Sequence, residues 1–335
     1  MRGIFNNEYF GRNSMTYRIG IDLGGTKIIG AIFDEKHKKL ASIKKNTKGF
    51  QGPEVTIKRI VDLIYSLLKT SHLSVKSISS IGFGVPSSVD HLSGKMLTAP
   101  NLGWKDVNLK VAIEKEFGIF TYVENDVNAG TYGEYVMTLK KKYEHVVGIF
   151  FGTGIGGGLI INGQLFHGAR GMAGEIGHMV LKPNGLLCGC GNKGCFETVA
   201  SKSGLLHQMK LDSKKKGNQL LKKVVKKEDA LVVKSSDLKK ALELGDPYIT
   251  KHVAKMARYM GLGIANIINI LNPQAVILGG GVMEGLKDYL WPALLKNLNK
   301  NAFPGSLETV EIRVCELGDD AVMIGASLLA EVYRG

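Results

Sequence analysis

The sequence predicts a mixed α/β protein that is organised in two related halves. The main observation is a repeated pattern, in which a buried strand runs through a glycine-rich turn into a second strand, over Ile19–Phe33 and again over Val146–Ile161. Elsewhere, apolar strands alternate with amphipathic helices, as in folds that pack helices on a sheet. A chain of 335 residues is also long enough for two domains that share a large core.

The first glycine turn lies between the strands Tyr17–Leu23 and Ile28–Phe33, which leave no room for a helix. This arrangement excludes a Walker A loop and a dinucleotide-binding fingerprint, because each of those opens a helix. A glycine hairpin tip can still donate backbone N–H groups to a phosphate, although a plain tight turn also explains the glycines. An acid at the strand end, Asp22, suits Mg²⁺ held through water. The candidate phosphate ligands are Gly24, Gly25, Thr26 and Lys27.

A helix and a strand lead to the next candidate contact. Apolar residues at three- and four-residue steps predict a helix over Pro53–Leu68. The strand Ile78–Val85 precedes a loop over Thr98–Trp104, which carries Asn101 among proline, glycine and tryptophan. Asn101 is a candidate substrate contact, and a turn residue is the alternative interpretation.

A catalytic candidate follows the strand Ile119–Val123, which ends in Glu-Asn-Asp and leads into a helix at Val127–Gly133. Asp126 therefore lies at the carboxyl end of a strand and just before a helix, where α/β folds place catalytic groups. A helix N-cap explains the same position on spacing alone. Asn125 is a weaker candidate, which either contacts substrate or caps the helix.

The second glycine turn lies between Val146–Phe151 and a strand over Leu159–Ile161, and it repeats the first arrangement. Two such hairpins indicate two halves that face each other across a nucleotide. A third glycine tip follows the strand Ala275–Leu278 and is expected on the adenine or ribose side. The candidate nucleotide contacts in these turns are Gly152, Thr153, Gly154, Gly156, Gly279, Gly280 and Gly281.

The remaining segments predict helices and one more strand. The lysine-rich segment Leu205–Leu242 is typical of solvated helices, and His252–Leu271 has the apolar spacing of a long helix. Thr309–Val314 is the last predicted strand. Ala321–Val332 is a closing helix rich in small residues, and we expect it to pack back on the sheet.

Three of the four cysteines occur within eight positions and form, with a histidine upstream, a closed set of metal ligands. Three thiolates and one imidazole suit a structural zinc ion in tetrahedral geometry. Gly189, Gly191 and Gly194 suit a chain that needs positive φ around a metal. Two acids, Glu175 and Glu197, flank the cluster, and we expect the metal loop to hold them against a small polar substrate. The candidate zinc ligands are His178, Cys188, Cys190 and Cys195.

The net charge of +14 is better explained by lysine-rich helical surfaces than by a nucleic-acid or membrane-surface function. No apolar run reaches the roughly 20 residues that span a bilayer, and the start of the chain lacks the apolar core of a signal peptide. We therefore expect a cytoplasmic protein without nucleic-acid or membrane partners. Residues 1–16 are expected to be a disordered leader, with Met15 as an alternative natural start.

Taken together, these motifs resemble those of the ROK family of sugar kinases, repressors and uncharacterised proteins. The resemblance implies the two-domain actin-like ATPase fold, also called ribonuclease H-like, with a cleft between the lobes. It implies a small α/β domain over 17–124 plus 318–335 and a large one over 125–317, which includes the zinc loop 178–195. The residues that carry it are Asp22–Lys27, Gly84–Asp90, Glu124–Asp126, Gly152–Gly158, Glu175–His178, Cys188–Glu197, Gly279–Gly281 and Gly318–Ala326.

The resemblance also implies a role for each candidate residue. Asp126 would be the general base that takes the proton from the attacking sugar hydroxyl, while the glycine turns hold the phosphates of ATP with Mg²⁺. His178 would serve twice, with one ring nitrogen on Zn²⁺ and the other toward the sugar. The residues implied to bind the sugar are Asn101, Asn125, Asp126, Glu175, His178 and Glu197.

The implied activity is ATP-dependent phosphorylation of a hexose at its 6-hydroxyl, with glucose as the preferred sugar. N-acetylmannosamine or another hexose is the alternative acceptor, and polyphosphate is an alternative donor. A non-catalytic sugar-responsive regulator is a remote alternative, since Met1–Thr16 is too short for a helix-turn-helix domain. A homodimer is expected from the family. Ser87 departs from the glycine that is usual in the family, in a loop expected to line the sugar site.

Overall fold

The computed structural model describes residues 16–213 and 233–335, and its strands form two five-stranded sheets and one three-stranded sheet. The predicted leader and the lysine runs at 214–216 and 222–223 lie outside the described residues. Eight strands lie in the first part of the chain: β1 Tyr17–Leu23, β2 Lys27–Phe33, β3 Lys39–Asn46, β4 Ile78–Val85, β5 Ser88–Asp90, β6 Lys95–Ala99, β7 Trp104–Asn108 and β8 Thr121–Asn125. Five strands lie in the second part: β9 Val146–Phe151, β10 Ile155–Ile161, β11 Gln164–Leu165, β12 Ala275–Gly279 and β13 Glu311–Val314.

The two large sheets have the same construction. In the first, β1, β2 and β3 form an antiparallel meander, and β4 and β8 extend it in parallel on the other side of β1. The second repeats this with the meander β9, β10, β11 and the parallel strands β12 and β13. The strand orders are β3-β2-β1-β4-β8 and β11-β10-β9-β12-β13. The prediction of two related halves is confirmed at the level of sheet topology.

Helices cover both sheets and join them. The described helices are α1 Pro53–Thr70, α2 Leu109–Phe117, α3 Asp126–Met137, α4 Phe196–Ala200, α5 Lys202–Ser213, α6 Ser235–Glu243, α7 Pro247–Leu271, α8 Gly281–Asn301 and α9 Ala321–Arg334. The apolar faces of α1 and α2 share one core with the first sheet, and those of α7 and α8 share another with the second sheet. Among these helices, none combines the length and hydropathy that a membrane span requires.

Helix α9 packs against α3 and the first sheet through very close backbone contacts. A Cβ atom at Gly325 would overlap the carbonyl oxygen of Ala129 in α3. A Cβ atom at Gly82 in β4 would overlap the carbonyl oxygen of Ala326. Only glycine permits such approaches, because a side chain would force the backbones apart. The prediction that the closing helix packs back on the sheet is confirmed.

The predicted loop over Thr98–Trp104 is wrong at both ends. Thr98 and Ala99 belong to β6, and Trp104 begins β7, so only residues 100–103 form the turn. β6 pairs with β5 on one side and with β7 on the other, in a small antiparallel sheet that lies between β4 and β8 in the sequence. The strands are short and mix lysine, serine and threonine with apolar residues, so they lack the apolar runs that reveal buried strands.

The prediction for the second glycine turn is also corrected. The second hairpin tip was expected to include Gly156–Gly158, but β10 begins at Ile155 and these glycines are strand residues. Their reason is packing, because a Cβ atom at Gly156 would lie 2.5 Å from Val127 of α3. The third glycine tip, Gly279–Gly281, follows β12 as predicted, and it leads into the helix α8.

The contact between α9 and α3 gives a stability prediction. We expect Gly325→Ala to lower the free energy of unfolding by about 3 kcal/mol, because the new methyl group meets a backbone oxygen that cannot move independently. Gly281→Ala is the matched control, since a Cβ atom there has no other atom within 4 Å and alanine favours the helix. Urea unfolding measures both. Equal stabilities of the two variants would contradict this packing account.

Candidate active site

A cavity of about 870 Å³ lies between the two halves and is lined by loops from both. The first half contributes Asn101, Asn125 and Asp126. The structure brings these together with most of the predicted residues of the second half. The latter are Gly152, Thr153, Gly154, Gly156, Glu175, His178, Cys188, Cys190, Glu197 and Gly280.

The first hairpin tip, Asp22–Lys27, is not part of the cavity wall but lies beside it. Thr47, which follows β3, donates its backbone N–H to the carbonyl of Thr26 at 2.9 Å and its hydroxyl to the carbonyl of Gly24 at 2.6 Å. A Cβ atom at Gly25 would lie 3.0 Å from the carbonyl oxygen of Asn101. The tip is therefore fixed directly against the loop that carries one of the cavity residues. Gly279, Gly281 and Cys195 likewise lie outside the cavity lining.

Asp126 begins helix α3 and points into a site that disfavours negative charge. Its Oδ1 accepts the backbone N–H of Val127 at 2.9 Å. Burial raises the pKa of Asp126 to about 6. Burial, and then the charges of Asp126 and Asp319, raise the pKa of Asp22 to about 7. Asp22, Asp126 and Asp319 are therefore close enough to interact electrostatically beside the first hairpin, and a bound cation would reduce their repulsion.

The N-cap of α3 is Asn125, so the interpretation of Asp126 as only an N-cap is wrong. The side-chain oxygen of Asn125 accepts the backbone N–H groups of Val127 and Asn128 at 2.9 and 3.1 Å. Its amide group donates to the carbonyl of Ser87 at 3.3 Å. Asn125 thus fixes the first turn of the helix and leaves the carboxylate of Asp126 free to face the cavity.

The second hairpin is hydrogen-bonded to the first residues of α5. The backbone N–H groups of Lys202 and Ser203 donate to the carbonyls of Gly152 and Thr153 at 3.0 and 3.2 Å. A Cβ atom at Gly154 would lie 2.6 Å from a carboxylate oxygen of Glu197, which explains why this position is glycine. The hairpin and the predicted sugar-binding acid are therefore in direct contact.

The predicted zinc ligands converge. The ligand atoms of His178, Cys188, Cys190 and Cys195 all lie within 4.8 Å of one another. The Sγ atoms of Cys190 and Cys195 are 3.6 Å apart, and Nδ1 of His178 is 3.6 Å from Sγ of Cys188. Ideal tetrahedral zinc would place two sulfurs ~3.8 Å apart and sulfur and nitrogen ~3.5 Å apart. The donor set therefore fits zinc in both chemistry and spacing.

The fold of the zinc loop explains two of its glycines. Gly191 and Gly194 have φ of 92° and 76°, in the region that favours glycine. Gly189 does not have a positive φ, so the prediction for this glycine is wrong. A Cβ atom at Gly194 would overlap the carbonyl oxygen of Lys182, across a short antiparallel contact. The loop is thus closed by its own backbone as well as by the cysteines.

His178 and Glu175 lie side by side at the cavity wall. Ile176–His178 is a 3₁₀ turn, which places both side chains on one face as expected for a helical segment. The Nε2 atom of His178 is 3.8 Å from a carboxylate oxygen of Glu175, while Nδ1 faces the cysteines. The two ring nitrogens therefore face two different partners.

Asp319 and two residues of α5 are not among the site residues that the sequence predicts. Asp319 lies outside the cavity lining but acts electrostatically on Asp22. Ser203 and His207 line the cavity from α5. An acid just before a helix, as at Asp126, could have indicated Asp319, but nothing in the local sequence distinguishes the α5 residues from ordinary helix surface.

A model of the ROK family matches residues 18–332. The chain belongs to the ROK family. It is 32% identical over 326 residues to the glucokinase of Halalkalibacterium halodurans, which covers 93% of this chain and 94% of that protein. It is 30% identical over 311 residues to the xylose repressor of Bacillus subtilis, which covers 93% of this chain and 76% of that protein.

A solved structure agrees with the sequence relatives. The ROK glucokinase of Streptomyces griseus, in complex with glucose and AMPPNP, superposes with a TM-score of 0.80 and 30% identity, and the match covers 96% of this chain and 100% of that one. The fold of the chain is therefore the two-domain actin-like ATPase fold, as the resemblance implied.

The zinc loop gives a prediction about metal content. We expect the purified protein to contain ~1 zinc per chain, and Cys190→Ala to lose it and to unfold at lower temperature, because the metal bond energy contributes to folding. Cys315→Ala is the control, since Cys315 is a free cysteine outside the cluster. Elemental analysis and thermal unfolding measure the two effects. A Cys190→Ala protein with full zinc content would contradict the assigned ligand set.

The raised pKa of Asp126 gives a prediction with a defined sign. A carboxyl group whose folded pKa is raised from 3.8 to about 6 favours folding below pH ~4, and this contribution is lost as the pH rises through 6. Asp126→Asn should therefore stabilise the protein by about 1–2 kcal/mol at pH 8 and have little effect at pH 4. Unfolding by urea at both pH values, without Mg²⁺, tests this.

Asp90→Asn is a control of opposite sign for the same measurement. A hydrogen bond from Ser93 lowers the pKa of Asp90, so its ionised form is stabilised in the folded protein. We expect this variant to be less stable than wild type at pH 8. If Asp126→Asn were also destabilised at pH 8, the site would not disfavour the carboxylate.

Proposed function

We propose that this protein is an ATP-dependent hexose kinase that transfers the γ-phosphoryl group to the 6-hydroxyl of a hexose, with glucose as the preferred acceptor. The observation that carries the proposal is the position of Asp126. Asp126 lies in the wall of a large cavity that also includes the second glycine hairpin and the loop of Glu175 and His178, and the first hairpin lies beside this cavity. The relatives include a glucokinase solved with glucose and an ATP analogue.

In the proposed reaction, Asp126 takes the proton of the sugar 6-hydroxyl as its oxygen attacks the γ-phosphorus. A bond forms between this oxygen and phosphorus, and the bond from phosphorus to the bridging oxygen of ADP breaks. A pKa of about 6 suits this role, because the base is largely ionised at neutral pH and still accepts a proton readily. The remaining catalysis is positioning and charge stabilisation.

The nucleotide side of the site is proposed from the two hairpins. Backbone N–H groups at Gly24–Lys27 and Gly152–Gly156 would hold the phosphates, and Gly279–Gly281 would lie near the nucleoside. Asp22 would hold Mg²⁺ through water. Its pKa is raised first by burial and then by the charges of Asp126 and Asp319, which a cation would neutralise. Mg²⁺ would supply charge neutralisation at the β- and γ-phosphates.

The sugar side is proposed from the zinc loop and its neighbours. Asn101, Glu175 and Glu197 would accept or donate hydrogen bonds to the sugar hydroxyls, together with Asn125 and Asp126. His178 supports this assignment, because a nitrogen locked on a metal leaves the other as a fixed N–H donor. Zinc would thus be structural, and the loop would fix the hydroxyl-binding side chains without taking part in transfer.

We further propose that the domains divide as 17–124 plus 318–335 and 125–317. The two sheets support this division, since each lies within one of the two parts apart from Asn125, the last residue of β8. A homodimer is proposed only from the family.

A second candidate is a sugar-binding regulator without kinase activity. The observation that favours it is a similar identity, 30 to 32%, to xylose repressors and to glucokinases. A kinase specific for N-acetylmannosamine is a variant of the first candidate. Ser87 bears on this choice, because its hydroxyl donates to backbone carbonyls, including that of Thr98 at 2.9 Å, and so shapes the loop before Asn101.

The direct test is a panel of sugars with Mg-ATP, with ADP release as the readout. We expect glucose to give the highest kcat/KM, with mannose, fructose and N-acetylated hexosamines lower. An N-acetylated sugar that exceeds glucose by more than about tenfold, or ~1.4 kcal/mol, would exclude the glucokinase proposal. Sugar binding in calorimetry without any ADP release would favour the regulator.

The matched variant is Asp126→Asn, which keeps the size of the side chain but cannot accept the proton. We expect kcat to fall by at least ~10³-fold, while the dissociation constant for glucose changes only modestly. Asp90→Asn is the control, since Asp90 lies in the small sheet and outside the cavity lining. A kcat near wild type in Asp126→Asn would refute the assignment of the base.

A further inference from the structure

A buried carboxylate lies directly behind the candidate base. Glu124 is near the end of β8, two residues before Asp126, and its side chain is 2% exposed. Its Oε1 accepts the backbone N–H of Asn125 at 2.8 Å and the side-chain amide of Asn128 at 3.0 Å. Its Oε2 accepts the hydroxyl of Tyr122 at 3.0 Å and lies 2.7 Å from Nε2 of His167.

These contacts satisfy the carboxylate fully. Burial alone would raise the pKa of Glu124, but the hydrogen bond and the charge of His167, and then the bonds from Asn128 and Asn125, hold it below its ordinary value. A buried charge is retained only where it is paired and hydrogen-bonded, because isolation would cost several kcal/mol. Glu124 is therefore an ionised anchor in the described structure.

On one side, the carboxylate of Glu124 is hydrogen-bonded to the first turn of α3. Asn125 caps the helix, and the side chain of Asn128 reaches back to Glu124 from one turn later. The carboxylate of Asp126 lies between these two residues and shares the N–H of Val127 with the cap. Any shift of Glu124 is therefore transmitted to the turn that aims the candidate base.

On the other side, the carboxylate of Glu124 contacts His167, which begins the segment that leads to Glu175. His167 follows β11 of the second sheet, and its carbonyl accepts the N–H of Ala173 at 3.0 Å. The ring of His167 stacks on that of His91, with centroids 3.8 Å apart and an interplanar angle of 8°. The pair Glu124–His167 thus joins the end of the first sheet to the wall of the cavity on the second half.

We propose that Glu124 and His167 are positioning residues, which set the distance between the base on α3 and the sugar-binding segment that begins at His167. The inference rests on the proposed kinase function and deepens it. Neither residue lines the cavity, so both act through other side chains. Their hydrogen bond, not the ring stacking, is the element that transmits position.

The kinetic test compares three substitutions of His167. His167→Gln keeps an N–H donor for Glu124, His167→Phe keeps the stacked ring but no donor, and His167→Ala keeps neither. We expect Gln to stay within a few-fold of wild type, and Phe and Ala to lose on the order of 10- to 100-fold in kcat. The KM for Mg-ATP and the zinc content should not change, because neither hairpin nor the zinc loop is touched.

The control is His252→Ala, which removes another buried histidine paired with an acid. His252 is 5% exposed and lies 3.4 Å from Asp212, in a part of the molecule outside the active-site cavity. We expect a comparable loss of stability with unchanged kcat. If His167→Phe were as active as wild type, or if His252→Ala lost as much kcat as His167→Ala, the positioning role would be refuted.

A second readout does not depend on kinase activity. Hydrogen exchange of the peptide over 121–133 reports the first turn of α3, and we expect at least ~10-fold faster exchange in His167→Ala and His167→Phe but not in His167→Gln. Unchanged exchange in all three variants would overturn the proposal. If wild type phosphorylated no sugar, the proposed function would fail while this exchange measurement still decided the positioning role.

Discussion

The contact between α9 and α3 is the constraint on which the site depends. Backbone meets backbone there because Gly325 and Gly133 leave no side chain between the helices. The same helix α9 lies on β1 and β4, where Gly20 and Gly82 make equally close contacts. Helix α3 also packs on β10 through Gly156 and Gly158. The proposed base, Asp126, is therefore held on a helix that both sheets fix, rather than on a loop.

Two acids separated by one residue illustrate how surroundings set chemistry. Burial raises the pKa of Asp126, whereas the bonds from His167, Asn128 and Asn125 outweigh burial and lower that of Glu124. The hydrogen bonds to Asp126 do not offset its burial, and the raised pKa suits the proton acceptor proposed at this position. Glu124 is satisfied by four donors and holds its surroundings. Sequence position alone does not separate these roles.

Long apolar segments could be predicted from the sequence, and contacts between distant segments could not. Tyr17–Leu23, Ile78–Val85 and Val146–Phe151 are strands with the predicted bounds, because segments made mostly of apolar residues and glycine mark strands that are buried on both faces. The strand β3 has exposed and half-buried residues but no buried ones, so the sequence does not predict it. Among the site residues, the convergence of the candidate zinc ligands could be predicted from their spacing. Glu124 and His167 are 43 residues apart and carry no common motif.

The repeated sheet order has a consequence for how such a protein can change its substrate. The two five-stranded sheets have the same topology and are nearly equivalent as scaffolds. The sheets alone therefore do not determine which of two different ligands binds on which side. The two halves differ in their insertions. The first carries the small sheet β5–β7, and the second carries the segment with the candidate zinc loop between β11 and β12. If the proposed function holds, recognition of the acceptor is thereby separated from the scaffold that fixes the proposed base. Mutations in the insertions can alter which molecule is recognised while the paired sheets, and the backbone contacts that join them, remain intact.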